Sequence, residues 1–204
     1  MALSLQLGRQ SFGSPDNTGN LPARTEVESL LDNWVQNDRL RLHMQQLGGL
    51  LRAWAQRKGL DEQQQWLWEA AGLLHDADWE QWPDQHCAKI IEYGEQAGWD
   101  PDLLHAIASH GPRHFGVEPV NELDHLIYAL DELSGFVHAV SLVRPEGYTG
   151  IKVKSVKKKL KEKSFAAQVS REEIADAADR AGISQDELIQ FVIDEQPRIT
   201  AAAQ

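Results

Sequence analysis

Residues 70–80 read AAGLLHDADWE, and this stretch decides how the rest of the 204-residue chain is interpreted. Its apolar half continues a stripe that begins at Trp66 and repeats at the three- and four-residue spacing of an amphipathic helix. The stripe runs directly into His75 and Asp76, so two ionisable side chains are expected at the buried end of a helix. An unpaired buried carboxylate is destabilising, and a bound metal ion removes that penalty.

Other apolar helix faces are interrupted in the same way by a histidine or a carboxylate. The interrupting residues are His43, His86, His110 and Asp131, on helices predicted near 39–57, 84–97, 101–110 and 121–143. For any one histidine, the simpler interpretation is a hydrogen-bonded residue of the core. The convergence of the whole set predicts a metal site, and imidazole together with carboxylate suits divalent transition metals.

The remaining patterns predict an all-α fold, with further helices near 25–37, 62–75, 151–163, 171–181 and 185–195. Capping-box patterns mark three helix starts, at Thr25, Ser170 and Ser184, and Asp100 followed by Pro101 marks another. Glycines at 59, 98, 111 and 182 are predicted to end helices in the left-handed conformation. The prolines at 112 and 197 are predicted to stop helices.

Composition divides the chain into a flexible N-terminal tail (1–24), a metal-binding helical domain (25–145), and a lysine-rich helix with a helical cover packed on the same domain (146–204). The net charge of −11 argues against general nucleic-acid binding. The single cysteine, Cys87, excludes an internal disulfide and favours a cytoplasmic location. Neither a signal peptide nor a membrane-spanning segment is expected from the apolar runs.

The order of His43, the adjacent pair His75-Asp76, and Asp131 within YALDELSGF (128–136) resembles the HD-domain superfamily of metal-dependent phosphohydrolases. Over about three quarters of the chain, the sequence is similar to a small group described only as predicted HD-superfamily hydrolases. The segments that carry this closer resemblance are LHDADWE, SHG, YALDELSGF, LVRP and KVKSVKKKLKEKSFA. The resemblance implies an HD-domain helical bundle with a small C-terminal helical extension.

The resemblance also implies a binuclear centre of two divalent transition-metal ions, Fe or Mn in the first place, with Co, Ni, Zn or Mg as alternatives. In that arrangement Asp76 would bridge the ions, while His43, His75 and Asp131 would bind one and His86 and His110 the other. The interval between Asp76 and His86 is shorter than in such proteins, so a site with one ion stays an alternative.

A site of this kind implies a phosphohydrolase that acts on a small phosphorylated substrate, nucleotides included, through a metal-activated water. Asp78 and Glu80 are candidates to orient that water or to protonate a leaving group. The simpler interpretation of both is a solvated helix end. A mixed-valent di-iron oxygenase that uses O2 is the alternative reaction, and a regulatory module with a structural metal site is a third interpretation.

The segment 152–163 contains seven lysines and one glutamate, with apolar residues at helical spacing. Its lysines are interpreted either as a solvated face or as an attraction for phosphate. Arg144 is the best single candidate for a phosphate contact, followed by Lys152 and Lys154, and His114 is a candidate for the mouth of a pocket. A small phosphorylated substrate and a homodimer are the partners considered, and nucleic acid is disfavoured.

Three further expectations concern residues near these motifs. His105 is about 140° around its helix from His110 and should face elsewhere. His138 should belong to the core or lie behind the metal ligands. The tryptophans near His75, among them Trp79, are open to two interpretations, core packing or the wall of a substrate pocket.

Overall fold

The computed structural model describes residues 19–203, and across that range the chain forms α-helices and no β-strand, which confirms the predicted all-α class. The helices are α1 (Arg24–Trp34), α2 (Asp38–Arg57), α3 (Glu62–Leu74), α4 (Ala88–Ala97), α5 (Pro101–Ser109), α6 (Pro112–Phe115), α7 (Glu122–Leu142), α8 (Val153–Leu160), α9 (Arg171–Ala181) and α10 (Gln185–Ala202). A short 3₁₀ helix, Pro83–Gln85, lies between α3 and α4. The part of the predicted tail formed by residues 1–18 lies outside the described residues.

Side-chain caps hold two of the three helix starts that capping patterns predicted. The hydroxyls of Ser170 and Ser184 each accept the backbone N–H of the residue three positions further on. The prediction at Thr25 was wrong, because α1 already begins at Arg24. Its N-cap is Ala23, which makes no side-chain hydrogen bond.

Two capping boxes that were not predicted begin the helices bearing candidate metal ligands. Asp61 starts α3 and Asn121 starts α7, and in each the residue three positions on bonds back to the cap. These boxes fix where α3 and α7 begin, and thereby the rotation at which His75 and Asp131 emerge.

Pro112 follows the end of α5 and begins α6, whereas Pro197 lies inside α10. Gly111 has a φ of −129° and is the N-cap of α6, whose first residue is Pro112, so the expected left-handed helix end at Gly111 was wrong. Proline suits a first helical position because no N–H partner is needed there. Gly98 and Gly182 do adopt the left-handed conformation at the ends of α4 and α9.

The last helix continues through Pro197, so the predicted stop was wrong. Packing on other helices compensates for the backbone hydrogen bond that proline cannot make. The Gln196 amide donates to the carbonyl oxygen of Ser134 on α7 at 3.0 Å. The Gln46 amide on α2 donates to the Thr200 hydroxyl at 2.9 Å. Both α10 residues are buried, Gln196 directly before the proline and Thr200 three residues beyond it.

The predicted tail is held against the bundle where the structure describes it. Asn20 donates its backbone N–H to Gly98 at 3.0 Å and accepts that of Asp100 at 2.9 Å. The Trp66 indole donates to the carbonyl oxygen of Pro22 at 2.8 Å. This end of the tail is therefore ordered by its hydrogen bonds rather than loose.

Glycines allow α2 and α3 to cross closely. A Cβ added to Gly72 would lie 2.6 Å from the backbone nitrogen of Gly48, and one added to Gly48 would lie 2.9 Å from the carbonyl oxygen of Glu69. Backbone atoms cannot yield at such distances, so a side chain at either glycine would force the helices apart. The close crossing brings His75, at the end of α3, beside His43 on α2.

The core is built around α2 and α7, which pack on each other. Helix α2 also packs against α3 and α10, and α7 also packs against α5, α9 and α10. Fully buried side chains at this centre include Leu47 and Leu50 of α2 and Ile127 and Phe136 of α7. Helices α9 and α10 thus lie on the same core as the helices that carry the candidate ligands. No helix within residues 19–203 is both long and apolar enough to cross a bilayer.

Candidate metal centre

The first group of candidate ligands joins α2, the end of α3 and α7. His43 Nε2 lies 2.9 Å and His75 Nε2 lies 3.5 Å from the same oxygen, Oδ1, of Asp131. The two imidazole Nε2 atoms are 3.2 Å apart. All three ligand atoms lie within 4.8 Å of one another, which is close enough to share one ion.

The second group consists of Asp76, two residues after the end of α3, His86, in the segment before α4, and His110, directly after α5. Asp76 Oδ1 lies 3.2 Å from His86 Nε2 and 3.7 Å from His110 Nε2. These three residues also bring their ligand atoms within 4.8 Å of one another. His86 was expected on a helix near 84–97, but it lies in the irregular segment before α4.

The Asp76 carboxylate faces both groups. Its other oxygen, Oδ2, lies 3.4 Å from His75 Nε2 and 3.9 Å from His43 Nε2. One oxygen is therefore directed at each group.

Backbone carbonyls orient two of the four imidazoles. His75 Nδ1 lies 2.8 Å from the carbonyl oxygen of Gly72, and His110 Nδ1 lies 2.6 Å from that of Ile107. A carbonyl only accepts, so each Nδ1 carries the proton and donates it. In the neutral ring, Nε2 is then left with its lone pair, which is the form that binds a metal.

A buried carboxylate orients the third imidazole. Asp78 is fully buried, and its Oδ1 lies 2.6 Å from His86 Nδ1. Its Oδ2 accepts the backbone N–H groups of Lys89 and Ile90, both at 3.0 Å. Asp78 was expected either in catalysis or at a solvated helix end. Its burial contradicts the solvated helix end, because this carboxylate bonds to His86 and to the start of α4. A catalytic role for Asp78 stays a prediction without support from this geometry.

Without a cation or a proton between them, the lone pairs of the imidazole Nε2 atoms would face the carboxylate oxygens of Asp76 and Asp131. Burial opposes a charge on His75, but the carboxylates of Asp76 and Asp131 outweigh it and hold the pKa of His75 well above its usual value. Burial likewise opposes ionisation of the two acids, yet the neighbouring histidines, His75 first, keep the pKa of each carboxyl below its usual value. The ionised carboxylates thus demand positive charge between them, and the donor set fits divalent metal ions.

Protonation of the histidines supplies positive charge at His86 but not at His110. Burial opposes charging of His86, but hydrogen bonds to Asp76 and Asp78 raise its pKa to about 9. Burial, and then the charge of His75, lower the pKa of His110 to about 4. Hence His110 stays neutral while its neighbours hold protons, and it keeps a lone pair directed at Asp76.

A cavity of about 720 Å³ opens onto both groups. It is lined by His43, Asp76, Trp79, Pro83, Asp84, His86, His110, Gly111, His114, Phe115, Asp131, Glu132, Gly135, Gln168, Val169 and Glu173. The Phe115 ring packs 5.0 Å from that of His86 and 4.9 Å from that of His110, and Trp79 packs 5.0 Å from His86. Aromatic rings thus shield the second group, and Trp79 is a pocket-wall residue.

Glu132 is a cavity residue that sequence reasoning missed. It is half-buried, and its carboxylate accepts the backbone N–H of Ser170 at 3.2 Å. Burial, and then the charge of Asp131, raise its pKa to about 7. The only sequence signal was its position directly after Asp131 on α7.

Glu80, predicted as a catalytic candidate, is placed elsewhere. Its carboxylate accepts the backbone N–H groups of Gln36 and Asn37, at 2.8 and 2.9 Å. It therefore fastens the connection between α1 and α2, and it is not among the residues that line the cavity. A catalytic role for Glu80 stays a prediction without support from this geometry.

The predicted phosphate contacts do not come together at the cavity. Arg144 donates to the carbonyl oxygens of Gly147 and Thr149, at 3.1 and 2.9 Å, and so closes the turn after α7. Arg144, Lys152 and Lys154 are not among the lining residues. His114 does line the cavity, with Nε2 3.3 Å from Glu173. A phosphate contact by the three cations stays a prediction without support from this geometry.

The remaining histidines near the centre are engaged outside both groups. His105 Nδ1 lies 2.7 Å from Asp124 Oδ2, in a buried pair away from the ligands, as its helical phase predicted. His138 Nδ1 lies 2.7 Å from the Tyr148 hydroxyl. Neither histidine belongs to a group that could share an ion.

Compared with known proteins, the chain matches no family model, no curated protein and no solved structure. Membership of the HD-domain superfamily therefore stays a prediction from the sequence motifs.

Proposed function

We propose that the chain is a metal-dependent phosphohydrolase of the HD-domain superfamily, acting on a small phosphorylated substrate. The observation that carries the proposal is the Asp76 carboxylate, with one oxygen directed at His43 and His75 and the other at His86 and His110. His43, His75 and Asp131 would hold one ion, and Asp76, His86 and His110 the other. When bound, such ions supply an activated water and positive charge for phosphoryl oxygens.

The protein's own residues supply positioning and enclosure. The carbonyl oxygen of Gly72 and the carboxylate of Asp78 accept hydrogen bonds from Nδ1 of His75 and His86, and so fix the two imidazoles. Trp79 and Phe115 pack against the His86 ring on one side of the centre. A pre-oriented and partly enclosed ligand set of this kind costs little reorganisation during a reaction.

A di-iron oxygenase is the second candidate, because the observed ligand set of imidazoles and carboxylates suits iron as well. The two functions differ in what they consume. A phosphohydrolase releases inorganic phosphate without oxygen, whereas an oxygenase takes up O2 in proportion to substrate.

The test is to load metal-free protein with Mn²⁺ or Fe²⁺ and to measure phosphate release from 4-nitrophenyl phosphate and oxygen uptake side by side. We expect phosphate release that disappears, together with bound metal, in His75→Ala and Asp76→Ala. The matched control is His105→Ala, which should keep its metal. Full activity and full metal content in His75→Ala would refute the assignment, and oxygen uptake without phosphate release would favour the oxygenase.

A further inference from the structure

The cavity beside the candidate metal centre is lined by acids and by no basic side chain other than histidine. Its carboxylates are Asp76, Asp84, Asp131, Glu132 and Glu173, and neither lysine nor arginine occurs among the described residues that line it. Two of these acids belong to the metal-binding groups. The other three have no place in the ligand set and need another explanation.

Bound metal would not make this cavity attractive to a highly charged anion. Two divalent ions would bring four positive charges against five carboxylates, which leaves the cavity close to neutral. A nucleoside triphosphate would bring several negative charges and meet no cationic side chain beyond the metals. Like charges at close range cost several kcal/mol in a recognition site.

Two basic side chains pair with acids that do not line the cavity. Arg113, next to the cavity residue His114, pairs with Asp176 at 3.4 Å. In the lysine-rich helix α8, Lys157 pairs with Asp186 at 2.5 Å. Neither of these two cations therefore compensates the acids of the cavity.

Two of the additional carboxylates stand in adjoining walls, one on α7 and one on α9. Glu132 is half-buried and accepts one backbone N–H, from Ser170. The Glu173 side chain is only 13% exposed, and the histidine beside it, His114, is 66% exposed. Partly buried carboxylates are costly unless a positive group approaches them.

An independent feature of the same cavity also favours a cation. Trp79 is 49% exposed although it is one of the largest apolar side chains, and it lines the cavity with Phe115. An accessible aromatic face attracts ammonium groups, and this one lines the same cavity as the carboxylates.

We propose that the substrate is a small zwitterion, with a phosphoryl group at the metal centre and an ammonium group at Glu173 and Glu132, in the cavity that Trp79 also lines. The inference rests on the proposed function for the phosphoryl end alone. A cavity of about 720 Å³ suits a small molecule. Polyanionic nucleotides are disfavoured by the same charges.

The first test uses matched probes on the full chain loaded with Mn²⁺. 3-Aminopropyl phosphate and butyl phosphate share the phosphate and nearly the same size, and they differ by one ammonium group. Calorimetry should show about tenfold tighter binding of the amine, the value of one charge-assisted hydrogen bond. ATP should bind more weakly than the amine. Equal binding of butyl phosphate, or tighter binding of ATP, would overturn the inference.

The second test removes the proposed partner of the ammonium group. Glu173→Gln should abolish most of the tenfold preference. Glu172→Gln is the matched control, because the Glu172 side chain is 91% exposed and does not line the cavity. If Glu173→Gln fails to fold, Trp79→Leu serves instead, since that side chain is half exposed. A preference that survives in the folded variant would contradict the proposal.

The outcomes separate this inference from the hydrolase proposal. If no phosphate is released but the amine still binds more tightly than butyl phosphate, the reaction is wrong and the charge preference stands. If 4-nitrophenyl phosphate is hydrolysed and the amine has no advantage in binding, the reaction stands and the zwitterion is refuted.

Discussion

The buried carboxylate of Asp78 offers a sharp perturbation of one metal-binding group without touching a ligand. In Asp78→Asn, an amide N–H must face either the Nδ1 proton of His86 or the backbone N–H groups of Lys89 and Ile90, because all three are donors. A buried donor left unsatisfied costs about 1–3 kcal/mol. We therefore expect a modest loss of stability and a misoriented His86.

The expected effect on metal binding is selective. Loss of the group that orients a metal-binding histidine weakens affinity about 10- to 100-fold, which corresponds to about 1.4–2.7 kcal/mol. Only an ion held by Asp76, His86 and His110 should be affected, since the described side-chain hydrogen bonds of Asp78 reach His86, Lys89 and Ile90.

Equilibrium titration of metal-free protein with Mn²⁺ measures both affinities, and a denaturant titration measures stability. The matched control is Glu80→Gln, which changes an exposed acid two residues away that bonds only to Gln36 and Asn37 among the described contacts. Unchanged affinities for both ions in folded Asp78→Asn would refute the positioning role.

Three further predictions concern the close helix crossing, the charge of the metal-free centre and the last helix. Gly72→Ala should destabilise the protein and weaken metal binding, because the added Cβ would lie 2.6 Å from the backbone of Gly48. A variant with the melting temperature and metal affinity of the wild type would contradict this prediction. Below pH 6.5, protonated His86 should stabilise the metal-free protein. That contribution, up to about 3 kcal/mol, should be lost as the pH rises through the folded-state pKa of about 9. Denaturant titrations at pH 6.5 and 9 measure it, and higher stability at pH 9 would show that the proton is absent. Pro197→Ala should stabilise the protein by about 1–3 kcal/mol, because alanine restores a helical hydrogen bond; a lower denaturation midpoint would mean that the ring itself packs favourably.

The helices were predictable because their signals are local. Apolar spacing and caps such as Ser170 and Ser184 act within a few residues of the helix they define. The continuation of α10 beyond Pro197 was not predictable, since Thr200, beyond the proline, is held by Gln46, which is distant in the sequence.

The groups that could hold metal ions were predictable for a related reason. Each of His43, His75 and Asp131 interrupts an apolar face, and that interruption is visible in the sequence alone. The function of Asp78 was not visible, because an acid near a histidine pair looks the same whether it faces solvent or is buried against His86.

The cavity walls were the least predictable part of the site. Glu173 reaches the cavity from α9, far along the chain from His75 and Asp76, and the capping pattern in which it stands marks a helix start rather than a pocket. Arg144 looked suited to phosphate by its charge and position, yet its guanidinium bonds to carbonyl groups of its own turn. Side-chain partners of this kind are set by tertiary packing.

Metal stoichiometry and magnetic coupling test the central claim most directly. Metal-free protein titrated with Mn²⁺ should bind two equivalents per chain, and its electron paramagnetic resonance spectrum should show an exchange-coupled pair, because the Asp76 carboxylate faces both groups. One bound equivalent, or two ions with independent spectra, would contradict a centre shared through Asp76.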